Sequence, residues 1–258
     1  MSPLSILRNA GRGLMAACVV LGVGLTPAMA LDDAQRTEFE GVIRDYLLKN
    51  PEIIQQSIAE LQKRQAASEA AQRTAAVTNL KPQIFDSPRG VVVGNPKGDV
   101  TLVEFFDYNC GYCKRALTDL EDLIKTDPKL KVVLKEFPVL GPGSVEAAQV
   151  AVAVRMQDPT GKKYLAFHQN LLGGRGQADK ARSLAAAKEA GLDMARLEKD
   201  FSSPEVRATI EENFKLAESM GMNGTPSYVI GKQVVIGAVG VENLREKISN
   251  ARCGKATC

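Results

Sequence analysis

Glu104-Phe105-Phe106-Asp107-Tyr108-Asn109-Cys110-Gly111-Tyr112-Cys113 joins the end of an apolar run, Val100 to Phe106 (VTLVEFF), to a segment in which Leu117, Leu120 and Ile124 fall on one helical face. The run reads as a central strand buried on both faces, and the segment after it as an amphipathic helix stopped at Asp127-Pro128. Two cysteines two residues apart therefore stand at a strand-to-helix junction. A helix N-terminus presents unsatisfied N–H groups and partial positive charge, which stabilises a thiolate at Cys110. Lys114 and Arg115 oppose the helix dipole but favour a nearby anion. Only a thiolate attacks a disulfide, and a second thiol one helical turn on can then release the substrate. The pattern predicts Cys110 as an exposed nucleophile and Cys113 as the resolving thiol of a redox-active disulfide. The other readings are an inert structural disulfide or half of a zinc site completed by Cys253 and Cys258. An all-cysteine zinc site is disfavoured in an oxidising compartment.

Working outward, Lys131 to Phe137 (KVVLKEF) reads as a second strand, and strand, helix, strand argues for a parallel crossover. Val91 to Val93 reads as a short strand before the turn Asn95-Pro96-Lys97-Gly98. From about 143 to 221 the chain is helical, and strands return at Ser227–Ile230 and Gln233–Ile236 around Gly231-Lys232, ahead of a last helix near Val241–Ala251. Residues 91–258 thus form an α/β domain with a helical insert. Lys81 to Gly90 (KPQIFDSPRG) has the composition of a linker. Residues 31–80 read as two helices divided at Asn50-Pro51, with Asn50 as N-cap of the second. The first carries Phe39, Val42, Ile43, Tyr46 and Leu47 in a narrow stripe; the second carries Ile54, Ile58 and Leu61 and fades into an Ala/Gln-rich tract from Gln65 to Ala76. Such a stripe suits either a partner surface or packing back on the main domain.

Residues 1–30 read as a secretory leader: Arg8 and Arg12, the apolar run Gly13 to Leu25, then Ala28-Met29-Ala30 with cleavage after Ala30. The apolar run falls short of the roughly 20 residues of a membrane span. A lipid-attachment site at Cys18 fits poorly, because Met15 stands where leucine is usual. Cleavage removes Cys18 and leaves Cys110, Cys113, Cys253 and Cys258, an even number in an export compartment that permits disulfides. The whole chain of 258 residues has 33 Lys+Arg against 30 Asp+Glu, too balanced for a protein that works by neutralising phosphates, so no nucleic acid is expected. Its single histidine, His168, excludes multi-histidine zinc and di-iron sites. No metal and no cofactor is expected at the redox centre.

Glu104 interrupts the central strand, where an ionised carboxylate is costly to bury without a partner. Either it pairs with a lysine such as Lys135, or it is a buried acid of raised pKa that takes and returns the proton of Cys113. Gly224-Thr225-Pro226 precedes the apolar Tyr228-Val229-Ile230; by residue type alone Pro226 is an ordinary trans proline opening a strand.

Together these residues resemble the DsbA family of thiol-disulfide oxidoreductases, over about Val91 to Ala251. The resemblance implies a thioredoxin-like fold with the DsbA-type helical insertion. It also implies a cis-proline at Pro226, preceded by Thr225 and packed on the cysteine pair, with Thr225, Pro226 and Tyr112 meeting unfolded substrate, and a buried acid at Glu104. The family's strong oxidases have Pro-His between the cysteines; Gly111-Tyr112 replaces them here, and Thr225 is more like the isomerases. The segment Tyr46-Leu47-Leu48-Lys49-Asn50-Pro51-Glu52 resembles the extension of ScsC-like members, which implies a homo-oligomer formed through residues 31–80. The expected activity is that of a periplasmic protein disulfide isomerase or reductase. Its partners would be misdisulfided exported proteins and a membrane thiol reductase or oxidase. A monomeric dithiol oxidase is the alternative within the family. Outside it stands a copper- or zinc-handling protein using the cysteines with Met220 and Met222 as soft ligands. Cys253 and Cys258 are expected to form a small structural disulfide in the tail, and His168 to lie on a helix surface or in the core without a catalytic role.

Overall fold

Val100 to Phe106 forms the strand that the apolar run dictates, and every further strand is placed by it. In the computed structural model, which describes residues 32–258, this strand (β2, Val100–Phe106) is the centre of a five-stranded sheet. The leader expected over residues 1–30 lies outside the described residues. β3 (Leu130–Glu136) runs parallel to β2, with the crossover helix α4 (Gly111–Thr126) between them. β1 (Val91–Gly94) pairs antiparallel with β3, and β4 (Ser227–Ile230) antiparallel with β2. β5 (Gln233–Ile236) completes the order β1-β3-β2-β4-β5. The β4–β5 turn holds Gly231 at φ 59°, a left-handed conformation that glycine adopts without strain. The insert is α5 (Pro142–Gln157), α6 (Lys162–Gly173), α7 (Lys180–Glu189), α8 (Met194–Phe201) and α9 (Pro204–Ser219). A last helix spans Val241–Cys253.

Period-2 alternation divides the central strands between two cores. Leu102, Phe106, Val132 and Leu134 face one core, which α4, α5, α6 and the last helix close with Leu120, Val150, Phe167 and Leu244. Val103, Phe105, Val133 and Val229 face the other, with Leu216, Met220 and Met222. This second core also takes residues from before the domain start expected at Val91: Val77 and Ile84 are fully buried in it and Leu80 packs against it. The expected linker therefore carries a short helix, Lys81–Phe85, held by a buried isoleucine. The proline-rich composition that suggested a linker instead starts this helix and turns the chain into β1.

By internal packing the chain divides near Ala59 into two units, and the division falls within the helix Glu52–Asn79. In the first unit the helix Asp33–Lys49 is closed at its start by an Asp32 and Gln35 capping box. At its end the Asn50 side chain donates to the Tyr46 carbonyl, so Asn50 caps the first helix rather than the second. This helix buries no residue, and Phe39, Val42, Ile43 and Tyr46 are each more than half exposed. As the helix-forming alanine and glutamine of residues 31–80 lead one to expect, the second helix runs through the Ala/Gln-rich tract to Asn79, although its apolar stripe ends at Leu61.

Cys253 and Cys258 are joined in a disulfide that closes a loop of four residues beyond the last helix. A loop this short removes little entropy from the unfolded chain, about 2 kcal/mol by loop-closure arithmetic. A C253S/C258S variant is expected to lose no more than this in denaturant unfolding and to keep its thiol-disulfide exchange rate. A larger loss would mean that the tail holds the fold.

Candidate active site

Cys110 is the N-cap residue of α4, with extended backbone (φ −77°, ψ 117°) and its N–H donated to the Asp107 carbonyl at 3.1 Å. Its carbonyl opens the helix by accepting from Lys114 N–H at 3.0 Å. Cys113 lies in the first turn and is fully buried, and both thiols are free. Cys110 was expected to be exposed, but it is only 5% so. The chain at Thr225 covers it: the Cys110 thiol donates to the Thr225 carbonyl at 3.2 Å. The Thr225–Pro226 bond is cis, where residue type alone favoured trans.

The two thiols are strongly unlike. Cys110 is held down at about 5, first by the Cys113 thiol donating to its sulfur. Burial opposes this, while the Thr225 side chain and the N–H groups of Cys113 and Tyr112 add to it. Cys113 is pushed far above the ordinary thiol range by burial, by its hydrogen bond to Cys110 and by the charge of Glu104. The thiolate is thus held by N–H, S–H and O–H donors at a helix start. The basic residues expected to help it are engaged elsewhere. Lys114 Nζ reaches the Gly174 and Gly176 carbonyls, and the Arg115 guanidinium stacks 4.5 Å above the Tyr112 ring. Tyr112 itself is 59% exposed, presenting an aromatic face beside the cysteines.

Glu104 lies in β2 opposite Leu134 and Tyr228, 3% exposed. It is surrounded by Leu102, Ala116, Leu120, Leu123, Tyr228 and Leu244, with no room for a water molecule between them. Burial pushes its carboxyl up to about 8, and the neighbouring charges that act on it, Asp119 and Cys110, are anionic and push the same way. The alternative pairing with Lys135 is absent. Lys135 sits opposite Phe105 on the other face of the sheet, where its Nζ lies 3.7 Å from Glu212. A one-residue offset across a parallel pair reverses the face.

His168 is a core residue. It is buried edge-on against Phe106, with Nδ1 3.4 Å from the Tyr108 hydroxyl, and burial lowers its pKa to about 3. Met220 and Met222 pack in the second core, and Cys253 and Cys258 are bonded to each other, so the soft ligands considered for copper are not gathered. Among the described residues no three His, Cys, Asp or Glu side chains cluster as a metal site, and none of their helices is long and apolar enough to cross a membrane. Sequence reasoning passed over Asp107 and Asn109. Their only signal was position, polar residues between a buried strand and a cysteine.

Comparison with known proteins agrees with this geometry. Residues 101–249 match the DSBA-like thioredoxin domain, and residues 35–68 the N-terminal domain of copper resistance protein ScsC. ScsC from Proteus mirabilis, in a transitional conformation, is 31% identical, with 87% of this chain and 98% of that one covered and a TM-score of 0.63. A thioredoxin-like oxidoreductase from Silicibacter pomeroyi is 44% identical over 67% of this chain and 97% of that one, with a TM-score of 0.63. Thiol:disulfide interchange protein DsbA of Bordetella pertussis is 28% identical over 138 residues, 52% of this chain. The chain spans 64% of the length of that DsbA and 26% of another, longer curated relative. The cysteine turn and its cis-proline neighbour therefore sit in a family match covering more than half of the sequence: the chain belongs to the DSBA-like thioredoxin domain family and carries an ScsC-type N-terminal domain ahead of it.

Proposed function

We propose that this chain is an exported, periplasmic thiol-disulfide oxidoreductase that isomerises or reduces wrongly formed disulfides in other exported proteins. The observation that carries the reading is the inequality of the two thiols: Cys110 near 5, Cys113 far above the usual range. At neutral pH the pair is one thiolate and one thiol. The Cys110 thiolate attacks a substrate disulfide, forming a mixed disulfide and releasing one substrate thiolate. In isomerisation that thiolate attacks another disulfide of the same substrate and frees a different substrate thiolate, which attacks the substrate sulfur of the mixed disulfide, forms a new substrate disulfide and expels the Cys110 thiolate unchanged. In reduction Cys113 loses its proton, attacks Cys110 Sγ and expels the second substrate thiolate, so two electrons pass to the substrate and Cys110–Cys113 closes. In this reading Glu104, whose charge acts on Cys113, takes the Cys113 proton. Substrate meets Tyr112, Thr225 and Pro226 in this reading, Thr225 being the one whose carbonyl lies 3.2 Å from the Cys110 sulfur. A membrane thiol reductase would restore the dithiol.

Residues 31–80 serve in this reading to join several catalytic units, so that substrate meets more than one Cys110 thiolate. The exposed apolar stripe of the first helix supports it, because a side-by-side partner would cover it. The test is reactivation of ribonuclease carrying scrambled disulfides by the full chain and by a chain starting at Glu60. The shorter chain starts there so that Val77 and Leu80 stay in the second core. The full chain is expected to reactivate at least tenfold faster, while both reduce a small disulfide equally. Equal reactivation by both would remove the role given to the extension.

One observation favours a second reading, the dithiol oxidase. A Cys110 pKa near 5 lies between the values of about 7 for thioredoxin and about 3.5 for DsbA, and a stabilised thiolate makes the disulfide form more oxidising. Rapid oxidation of reduced ribonuclease, with no reactivation of the scrambled form, would select it.

A further inference from the structure

Asp107 is the most heavily used side chain near the redox turn, and nothing in the exchange chemistry above employs it. It follows β2 directly and is 2% exposed. Its Oδ1 accepts from the Asn109 N–H at 2.7 Å and the Ser144 hydroxyl at 2.8 Å. Its Oδ2 accepts from the N–H groups of Val139 and Leu140 at 2.8 and 3.0 Å. One carboxylate therefore ties together three segments: the turn leading into Cys110, the loop after β3 and the first turn of α5. Asn109 extends the clamp, donating to Ser144 Oγ and the Ala178 carbonyl and accepting from the Ala178 N–H at 2.7 Å. Among the described residues no Lys, Arg or His forms an ion pair with Asp107.

The main chain of the same residue faces both cysteines. Its carbonyl accepts the Cys110 N–H, and its N–H is directed at the Cys113 sulfur. Any rotation of residue 107 thus moves the donors that surround both thiols. The loop it holds carries Val139 and Leu140, apolar side chains that are 40% and 51% exposed.

We propose that Asp107 is a positioning residue for the redox centre: its four-donor clamp fixes the Cys110 turn against the Val139–Leu140 loop and helix α5. A buried carboxylate without a cation is costly unless its lone pairs are filled, and here three of the four donors are backbone N–H groups whose direction cannot reverse. An apolar residue would leave those N–H groups unpaired. An asparagine would set its NH₂ against at least one of them. The carboxylate alone satisfies all four, and in doing so it sets where the α4 N-terminus begins. The proposal rests on the thiol chemistry given above for Cys110, but its test does not need that chemistry to be right.

The experiment is ultraviolet titration of the Cys110 thiolate in the reduced full chain, for the wild type, D107N and S144A. S144A removes a single donor and keeps the fold if D107N does not. The Cys110 midpoint is expected to rise by about one unit in D107N and by less in S144A, because the donors around the sulfur lose their alignment. The exchange rate on a small disulfide is expected to fall on the order of 10- to 100-fold in D107N. An unchanged Cys110 midpoint in whichever of the two variants folds overturns the proposal, since loss of stability alone does not move a thiol titration in the folded state. Wild-type protein that titrates near 5 yet exchanges no disulfides would instead overturn the functional reading and leave the clamp to be judged on the titration alone.

Discussion

Replacing Cys110 by serine is expected to abolish disulfide exchange, a loss of more than about a thousandfold, because a serine hydroxyl is not ionised where the thiolate is. The stronger test is quantitative and uses the wild type. With Cys110 held near 5, alkylation by iodoacetamide should keep its full rate down to about pH 6 and fall by half near pH 5. An ordinary thiol of pKa near 9 has only about a thousandth of its population ionised at pH 6. The lower basicity of the Cys110 thiolate costs nucleophilicity, about 60-fold for four units at a Brønsted slope near 0.45, so ionisation wins by roughly tenfold. Cys113, buried and pushed far up, should not react in the native reduced protein. Cys113→Ala should then accumulate a mixed disulfide with substrate through Cys110, because no second thiol remains to resolve it. An alkylation midpoint near 8 or 9, or residual exchange in C110S, would remove Cys110 from the role of nucleophile.

The sheet was legible because its strands are apolar on both faces, and that pattern belongs to a central strand whatever surrounds it. Val100–Phe106 and Ser227–Ile230 have the bounds read from the sequence, and the parallel pairing of β2 with β3 follows from the intervening helix. Where the domain starts was not legible. Val77 and Ile84 belong to the second core, yet they stand singly within an Ala/Gln-rich helix and a proline-rich stretch, and one buried side chain leaves no period to read. At the site, the strand-to-helix position of Cys110 was enough to point to a depressed thiol. The helix N-terminal N–H groups expected to act on it do so, but the reinforcement expected of Lys114 and Arg115 comes instead from Cys113 and Thr225. Thr225 lies 115 residues away, and only tertiary structure brings it to the sulfur. Asp107 escaped for a related reason, since the loop and helix it clamps are more than thirty residues downstream.

Glu104 carries the largest expected effect on stability. Its carboxyl moves from an ordinary value of 4.5 in the unfolded chain to about 8 in the folded one, chiefly because burial penalises the charged form. A pKa raised on folding means that the folded state binds the proton more tightly. The cost is therefore nearly absent below pH 4.5, grows as pH rises from 4.5 to 8, and is constant above 8. Converted at 1.36 kcal/mol per unit, burial of Glu104 costs about 1 kcal/mol at pH 5 and about 4 kcal/mol at pH 8. Glu104→Leu should accordingly stabilise the reduced protein by about 3 kcal/mol more at pH 8 than at pH 5 in denaturant unfolding. The pH-independent packing change of the leucine cancels in that difference. A side chain that destabilises its own strand in this way is hard to explain by packing, since Leu102, Leu120 and Leu244 around it would accept an apolar residue. In the proposed mechanism Glu104 exchanges a proton with Cys113, so E104L should also slow resolution of the Cys110 mixed disulfide by about 10²-fold or more, the usual contribution of a general base. A stability gain equal at both pH values would mean that Glu104 keeps an ordinary carboxyl pKa in the folded protein and is too weak a base to draw the proton from Cys113.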